Sequence, residues 1–98
     1  MKLRPEIEWF AGIMEQKLQE NDDKGGWSEC TTDYLLGRLR DEFDELGQVF
    51  IKLGQDAIEH KGISFGTVNQ FCAECADVAN FAMMLADNAL KSLKRGED

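Results

Sequence analysis

The chain has 98 residues, 43% of them hydrophobic, which is enough for one small domain with a modest core and too apolar for a disordered chain. Its net charge of −8 leaves no basic stripe for duplex nucleic acid. Neither a signal peptide nor a membrane span is recognisable, so we expect a single cytoplasmic domain over residues 1–98 that contacts neither nucleic acid nor membrane.

The first helix is predicted over residues 5–20. Pro5 suits a first helical turn, and apolar residues then recur at helical spacing: Ile7, Phe10, Ala11, Met14 and Leu18. Trp9 is expected in the core. The segment "NDDKGGW", residues 21–27, breaks the helical pattern with polar residues and glycines, and it is predicted to form a loop.

The second helix should begin at Thr31 or Thr32, since either residue is a good N-cap. It ends near Leu53 if Gly54 acts as a C-terminal stop. Alternatively, the helix continues to Gly62, at a cost of roughly 1 kcal/mol for the internal glycine. The sequence leaves both lengths open.

A loop is predicted over residues 61–66, "KGISFG". Thr67 and Gln70 match a T-x-x-Q capping box, which would open the third helix. That helix runs to about Arg95 and stops at Gly96. Long apolar helices in so short a chain predict an all-α bundle, in which two long antiparallel acidic helices and an N-terminal helix are completed by oligomerisation.

The chain contains three cysteines and one histidine. Cys72 and Cys75 form a C-x-x-C that could hold zinc together with Cys30 and His60. However, the pair lies among alanines and valines in a helical pattern, a setting more typical of core packing. We therefore expect the cysteines to pack in the core, with zinc binding as the alternative.

The segment "ECADVANFAMMLAD", residues 74–87, is apolar on nearly every side, yet two acids lie in its first turn. On a helical wheel Asp77 falls about 60° from Glu74, and both lie at the apolar face. Glu42 and Glu45 repeat this arrangement in the second helix, with apolar residues at the same offsets. Packing the two apolar stripes together would bring four carboxylates near one point.

Four carboxylates so close repel one another, and buried charges are otherwise tolerated when they are paired or bind a metal. Arg38 could pair with Glu42 at i+4, whereas Glu74 and Asp77 have no basic residue within one helical turn. Oxygen ligands without a nearby histidine favour Mg²⁺, or Mn²⁺, over zinc. The alternative is that both acid pairs lie on solvated helix faces.

The stretches "LRDEFDEL" and "ECADVANF" resemble the MazG-like, all-α nucleoside triphosphate pyrophosphohydrolases, whose signature is E-x-x-E, a spacer and E-x-x-D. The "KGGW" before the second helix looks like the small phage-type members of that family. The resemblance covers roughly residues 24–90.

This resemblance implies that Glu42, Glu45, Glu74 and Asp77 bind Mg²⁺. It also implies that the protein cleaves a nucleoside triphosphate between the α and β phosphates, giving a monophosphate and pyrophosphate, and that it assembles into a homodimer or homotetramer. Asn80 matches a position that can contact the nucleotide in relatives, although an ordinary helix amide would also fit there.

Two further substrate-binding residues are suggested by the loop before the second helix. Lys24 could reach a phosphate, and Trp27 could stack on a base. Otherwise they are a surface lysine and a core tryptophan. Lys52 and Lys61 are additional basic candidates.

Direct attack by water suits these residues, because no nucleophilic serine or cysteine with a partner base is indicated. The carboxylate of Glu42 or Glu45 would take the proton. We therefore expect an enzyme that hydrolyses (deoxy)nucleoside triphosphates in a housecleaning role. A non-catalytic helical module that binds nucleotide or a partner protein is the alternative, favoured by the short chain and its few phosphate-binding cations.

Overall fold

The computed structural model describes residues 1–60 and 62–95. Within this part of the chain three α-helices and one short 3₁₀ helix form the fold, and there is no strand. The helices are α1 (Pro5–Gln19), α2 (Thr32–Glu59) and α3 (Phe65–Lys94), with the 3₁₀ helix at Asp22–Lys24. The all-helical prediction is confirmed for these residues, whereas the predicted helix stop at Gly96 and the candidate Lys61 lie outside them.

Helix α1 begins where the sequence predicted. Pro5 occupies the first helical turn, where its missing N–H costs no helical hydrogen bond. The helix ends one residue before the predicted limit, and the segment after it forms the 3₁₀ helix and an irregular loop. Gly25 in that loop has φ of +84°, a conformation that glycine adopts without the steric cost of a side chain.

Helix α2 is the longer of the two versions that the sequence allowed. Thr31 is its N-cap, and the hydroxyl oxygen accepts a hydrogen bond of 3.1 Å from the Tyr34 N–H. The helix passes through Gly54 and continues to Glu59. Its last turns are held against α3, because Asp56 accepts a 2.6 Å hydrogen bond from the Thr67 hydroxyl. This tertiary contact opposes the roughly 1 kcal/mol cost of the internal glycine.

Helix α3 begins three residues earlier than the capping box predicted, because its N-cap is Ser64 rather than Thr67. Ser64 is the N-cap, and its hydroxyl accepts a 3.1 Å hydrogen bond from the Thr67 N–H. The assignment of a cap to Thr67 and Gln70 was therefore wrong. Ser64 offers the same capping chemistry one turn earlier, which leaves the buried Thr67 hydroxyl free to bond α2.

Helices α2 and α3 form an antiparallel hairpin. Asp56 meets Thr67 near the connection, and Arg38, much earlier in α2, lies over the ring of Phe81. Helix α1 also packs against α3, where the Asn80 side chain donates to the Met14 carbonyl. Helix α3 is therefore the central element, with α1 and α2 on its flanks.

The core of this chain is thin. Within the described residues, the buried hydrophobic side chains are Leu35, Val49 and Ala76. Trp9, which was expected in the core, is 59% exposed, so that prediction is wrong for the isolated chain. The radius of gyration is 16.2 Å, against about 13 Å for a compact domain of this length. Much apolar surface therefore remains uncovered.

No helix in the described ranges is long and apolar enough to cross a bilayer.

Candidate metal centre

Three of the four predicted acids converge between α2 and α3. Each of Glu42, Glu45 and Glu74 offers a carboxylate oxygen that lies within 4.8 Å of the other two. The i, i+3 spacing of the two α2 residues puts both on the side facing α3. We call this group the carboxylate cluster. Glu42 is buried, Glu74 is half-buried and Glu45 is exposed, so the cluster is open to solvent on one side.

Two oxygens of the cluster are buried without a partner. Glu42 Oε2 and Glu74 Oε2 have no hydrogen-bond donor in the described part of the chain. The other oxygen of Glu42 accepts a 3.1 Å hydrogen bond from Arg38. A buried carboxylate oxygen without a donor is costly, and such oxygens are normally satisfied by a proton, a water molecule or a cation.

The environment of the cluster opposes full ionisation. Burial, together with hydrogen bonding and charge repulsion from Glu45, raises the pKa of Glu42 to about 7, although Arg38 acts in the opposite direction. Burial and the negative charges of Asp77 and Glu45 also raise the pKa of Glu74. A shared proton would satisfy these carboxylates at low pH, and a divalent cation would do so at higher pH.

Asp77, the fourth predicted acid, lies at the edge of the cluster. Its Oδ2 is 3.9 Å from the Lys17 ammonium of α1. Burial raises the pKa of Asp77, while the positive charge of Lys17 lowers it. Asp77 nevertheless repels the ionised forms of Glu42 and Glu74, which places its charge close to theirs.

The donor set of the cluster fits a hard divalent cation. Its three members supply oxygen only, which matches the preference of Mg²⁺ and Mn²⁺. Cys30, Cys72 and Cys75 are free thiols, and burial raises the pKa of Cys75, which opposes the thiolate form that zinc requires. Among residues 1–60 and 62–95, no cysteine or histidine joins a cluster of three potential ligands.

A cavity of about 660 Å³ opens beside the carboxylate cluster. It lies between α1, the loop after α1, and the facing sides of α2 and α3. Glu42 and Asp77 are among its lining residues. The lining also includes apolar residues and a set of cationic and aromatic side chains: Lys17, Lys24, Arg38, Trp27, Tyr34 and Phe81. Its size suits a small molecule, and its lining suits one with both a negative charge and a flat ring.

Helix α3 fixes the loop that lines this cavity. The Trp27 indole N–H donates to Asp87 Oδ2 at 2.9 Å, and the Asn88 amide donates to the Trp27 carbonyl at 3.0 Å. Trp27 is therefore half-buried at the cavity wall rather than part of a central core. Lys24, at the end of the 3₁₀ helix, is exposed and also lines the cavity. Lys52, by contrast, is an exposed residue of α2 that does not line it.

Asn80 is a cavity residue with one polar atom that lacks a partner in the described part of the chain. The residue is 3% exposed, and its Nδ2 donates to the Met14 carbonyl of α1 at 3.1 Å. Its Oδ1 is buried and has no partner among the described residues. Since Asn80 is a cavity residue, this oxygen is available as an acceptor for a ligand.

Lys17 is a site residue that the sequence argument did not identify. It is three residues after Met14 and one before Leu18, so it lies beside the apolar stripe of α1. This position was a detectable signal, but the partner on α3 depends on helix packing and could not be derived from the sequence alone. The Arg38–Glu42 pair, in contrast, follows from i+4 spacing and is present at 3.1 Å.

Comparisons of the chain with protein-family models, with curated proteins and with solved structures return no match.

Proposed function

We propose that the protein is a Mg²⁺-dependent hydrolase that cleaves (deoxy)nucleoside triphosphates at the α–β phosphate bond, releasing a monophosphate and pyrophosphate. One observation carries this proposal. Two helices bring three carboxylates within 4.8 Å of one another, and two of their oxygens are buried without a partner. The resemblance of the two acid-bearing segments to MazG-like enzymes agrees with this reading.

The carboxylate cluster would hold the cation, with Asp77 as a further ligand. When bound, Mg²⁺ neutralises phosphate charge and lowers the pKa of water at the site. The water oxygen would bond to the α phosphorus, the bond from that phosphorus to the bridging oxygen would break, and pyrophosphate would leave. Glu42 and Glu45 are the candidates to accept the water proton. Glu45 is the better candidate for two reasons: it is exposed to water, and Glu42 is already hydrogen-bonded to Arg38.

The cavity beside the cluster would hold the nucleoside and its phosphates. Trp27, which Asp87 fixes in place, offers an aromatic face for a base. Lys24 offers an ammonium for the phosphates, and Asn80 Oδ1 accepts a hydrogen bond from an N–H or O–H of the ligand. We propose that the active form is a cytoplasmic homodimer or homotetramer.

A nucleotide-binding module without turnover is the second candidate. It is favoured by the ion pairs that basic side chains of the cavity already form. Arg38 is paired with Asp41 and Glu42, and Lys17 with Glu20 and Asp77. If these pairs persist in the presence of nucleotide, few positive charges remain to stabilise the transition state.

Product analysis separates the two candidates. A panel of nucleoside and deoxynucleoside triphosphates is incubated with the protein and Mg²⁺, and the products are resolved by anion-exchange chromatography. We expect a monophosphate and pyrophosphate from the preferred substrate, and no turnover with Glu45→Gln. Orthophosphate as the initial product would contradict the proposed cleavage point. Binding of a nucleotide without any product would favour the module.

A further inference from the structure

Lys17 of α1 is shared between two carboxylates. Its ammonium lies 3.2 Å from Glu20 Oε1, within hydrogen-bond range, and 3.9 Å from Asp77 Oδ2, beyond it. The lysine side chain is 24% exposed and borders the cavity. Glu20 therefore positions the ammonium, while the contact with Asp77 is a loose charge attraction.

The four acids differ in how their charges are balanced. In the described part of the chain, the carboxylate cluster contains Glu42, Glu45 and Glu74, and no lysine forms an ion pair with these three residues. Asp77 is close enough to repel two of them, yet it faces Lys17 at the edge of the group. The charge of Lys17 also acts on Glu74, whose pKa burial raises and Lys17 lowers, but among the four acids the lysine forms an ion pair with Asp77 in the described part of the chain.

We propose that Lys17 is a positioning residue that holds Asp77 outside the carboxylate cluster before the cation and nucleotide bind. When they bind, Asp77 joins the cluster, and the Lys17 ammonium moves to the phosphate chain of the nucleotide. This inference rests on the proposed function, since it assumes a cation and a triphosphate at this site.

Charge balance favours such an exchange. Before the cation binds, the Lys17 ammonium of α1 forms the ion pair with Asp77. A divalent cation in the cluster attracts Asp77 more strongly than a single ammonium does, and it repels that ammonium. Lysine carries a compact charge on a flexible four-carbon stem, so the ammonium can swing into the cavity without moving α1. A nucleotide phosphate chain there supplies the replacement partner.

A purely structural role would give a different outcome. If Lys17 served only to fasten α1 to α3, removing its charge would tighten cation binding by the same factor in the wild-type protein and in an Asp77→Asn background, because the charge acts on the cluster in both. If Lys17 competes with the cation for Asp77, removing its charge would tighten cation binding in the wild-type protein and have a much smaller effect in the Asp77→Asn background. Cation affinity in the two backgrounds therefore separates the two roles without any measurement of activity.

The test compares Lys17→Met with the wild-type protein at constant ionic strength. The Mg²⁺ concentration that gives half of the maximal thermal stabilisation is measured first without nucleotide. We expect Lys17→Met to need roughly three- to tenfold less Mg²⁺, the effect of removing one screened unit charge near the site. Affinity for an α,β-imido nucleoside triphosphate, measured at saturating Mg²⁺, should fall by roughly tenfold through loss of a charge-assisted contact.

Three variants serve as controls. Lys17→Arg keeps the charge and should match the wild type within about twofold in the Mg²⁺ titration. Lys2→Met makes the same change of net charge at an exposed residue before α1, and it should have no effect on either measurement. Lys17→Gln removes the charge with a polar side chain, and it replaces Lys17→Met if that variant does not fold.

Equal Mg²⁺ requirements for Lys17→Met and Lys2→Met would overturn the role of Lys17 and leave the proposed cation site intact. A higher Mg²⁺ requirement in Lys17→Met would also overturn it, because the lysine would then support cation binding. The same factor of tightening in the wild-type and Asp77→Asn backgrounds would overturn it as well. If Mg²⁺ does not change the melting temperature of the wild-type protein, the proposed cation site is contradicted, and the proposed function is contradicted with it.

Discussion

At the scale of single residues, Glu42 is a buried acid whose carboxylate is satisfied on one side only in the described part of the chain. It is 7% exposed, one oxygen is bonded to Arg38 and the other has no donor among the described residues. Burial and the neighbouring Glu45 raise its pKa to about 7. Below this pH the carboxyl group carries a proton that can bridge to Glu45. Above it the group must ionise in an unfavourable place, unless a cation compensates.

The cation-free protein should therefore lose stability as the pH rises. Between the ordinary glutamate value of 4.5 and about 7, folded Glu42 is protonated while unfolded Glu42 is not. The native state thus binds more protons in this window, and the free energy of unfolding falls as pH increases through it. A shift of this size corresponds to roughly 3 kcal/mol. Urea unfolding in EDTA at pH 5 and at pH 8 measures the difference.

Glu42→Gln is the matched variant for this measurement, because it keeps the shape of the side chain and cannot ionise. It should flatten the pH dependence between pH 5 and pH 8. If the wild-type protein in EDTA is instead more stable at pH 8 than at pH 5, the account of Glu42 is wrong.

The sequence identified the individual acids because amphipathic spacing is a local property. Glu42, Glu45, Glu74 and Asp77 all lie between or beside apolar stripes, as the helical wheel indicated. That Asp77 is turned towards Lys17 depends on how α1 packs against α3. No local pattern contains that information.

At the scale of the elements, capping and tertiary contacts set the helix limits. Thr31 and Thr32 were both predicted as possible N-caps of α2, because a hydroxyl before a helical pattern has one common role, and the structure uses Thr31. Ser64 was missed because Thr67 and Gln70 offered an equally good motif three residues later. The contact that decides between the two caps joins Thr67 to Asp56 on the neighbouring helix. A capping motif considers neighbouring sequence positions alone, so it could not predict this contact.

Gly54 gives a direct test of the continuous α2. A Cβ added at Gly54 would meet no atom within 4 Å, and the residue lies inside the helix. Gly54→Ala should therefore raise the free energy of unfolding by up to about 1 kcal/mol, the difference in helix propensity. Thermal or urea unfolding measures this change.

The matched control for this prediction is Gly25→Ala. It makes the same chemical change at φ of +84°, where an alanine side chain is strained, and it should lower stability. A loss of stability in Gly54→Ala would argue that the helix is interrupted there or that another surface packs closely on it.

At the scale of the whole molecule, the isolated chain lacks a sufficient core. Leu36, Phe43 and Phe50 repeat every seven residues along α2, and the two phenylalanines are 64% and 62% exposed. Large aromatic side chains at helical spacing are costly to leave in water. Composition and length predicted oligomerisation, and the uncovered stripe is consistent with it, but the number of copies depends on surfaces that a single chain does not define.

We expect the protein to run as a dimer or larger assembly rather than as an 11.1 kDa monomer. Size-exclusion chromatography with light scattering gives the mass directly. Phe43→Glu should shift the equilibrium towards smaller species, because it puts a charge into the apolar stripe. Gln48→Glu adds the same charge at an exposed polar position and should have no such effect. A wild-type monomer at high concentration would refute the expected assembly.

The central claim is that carboxylates from α2 and α3 hold a divalent cation, and a Mg²⁺ titration of thermal stability tests it most directly. The wild-type protein should gain about 2.7 kcal/mol at a Mg²⁺ concentration one hundred times the dissociation constant, if only the native state binds. Glu74→Gln removes one carboxylate of the cluster while keeping its shape, and it should lose most of this gain. Equal melting curves with Mg²⁺ and with EDTA, or an undiminished response in Glu74→Gln, would contradict the claim.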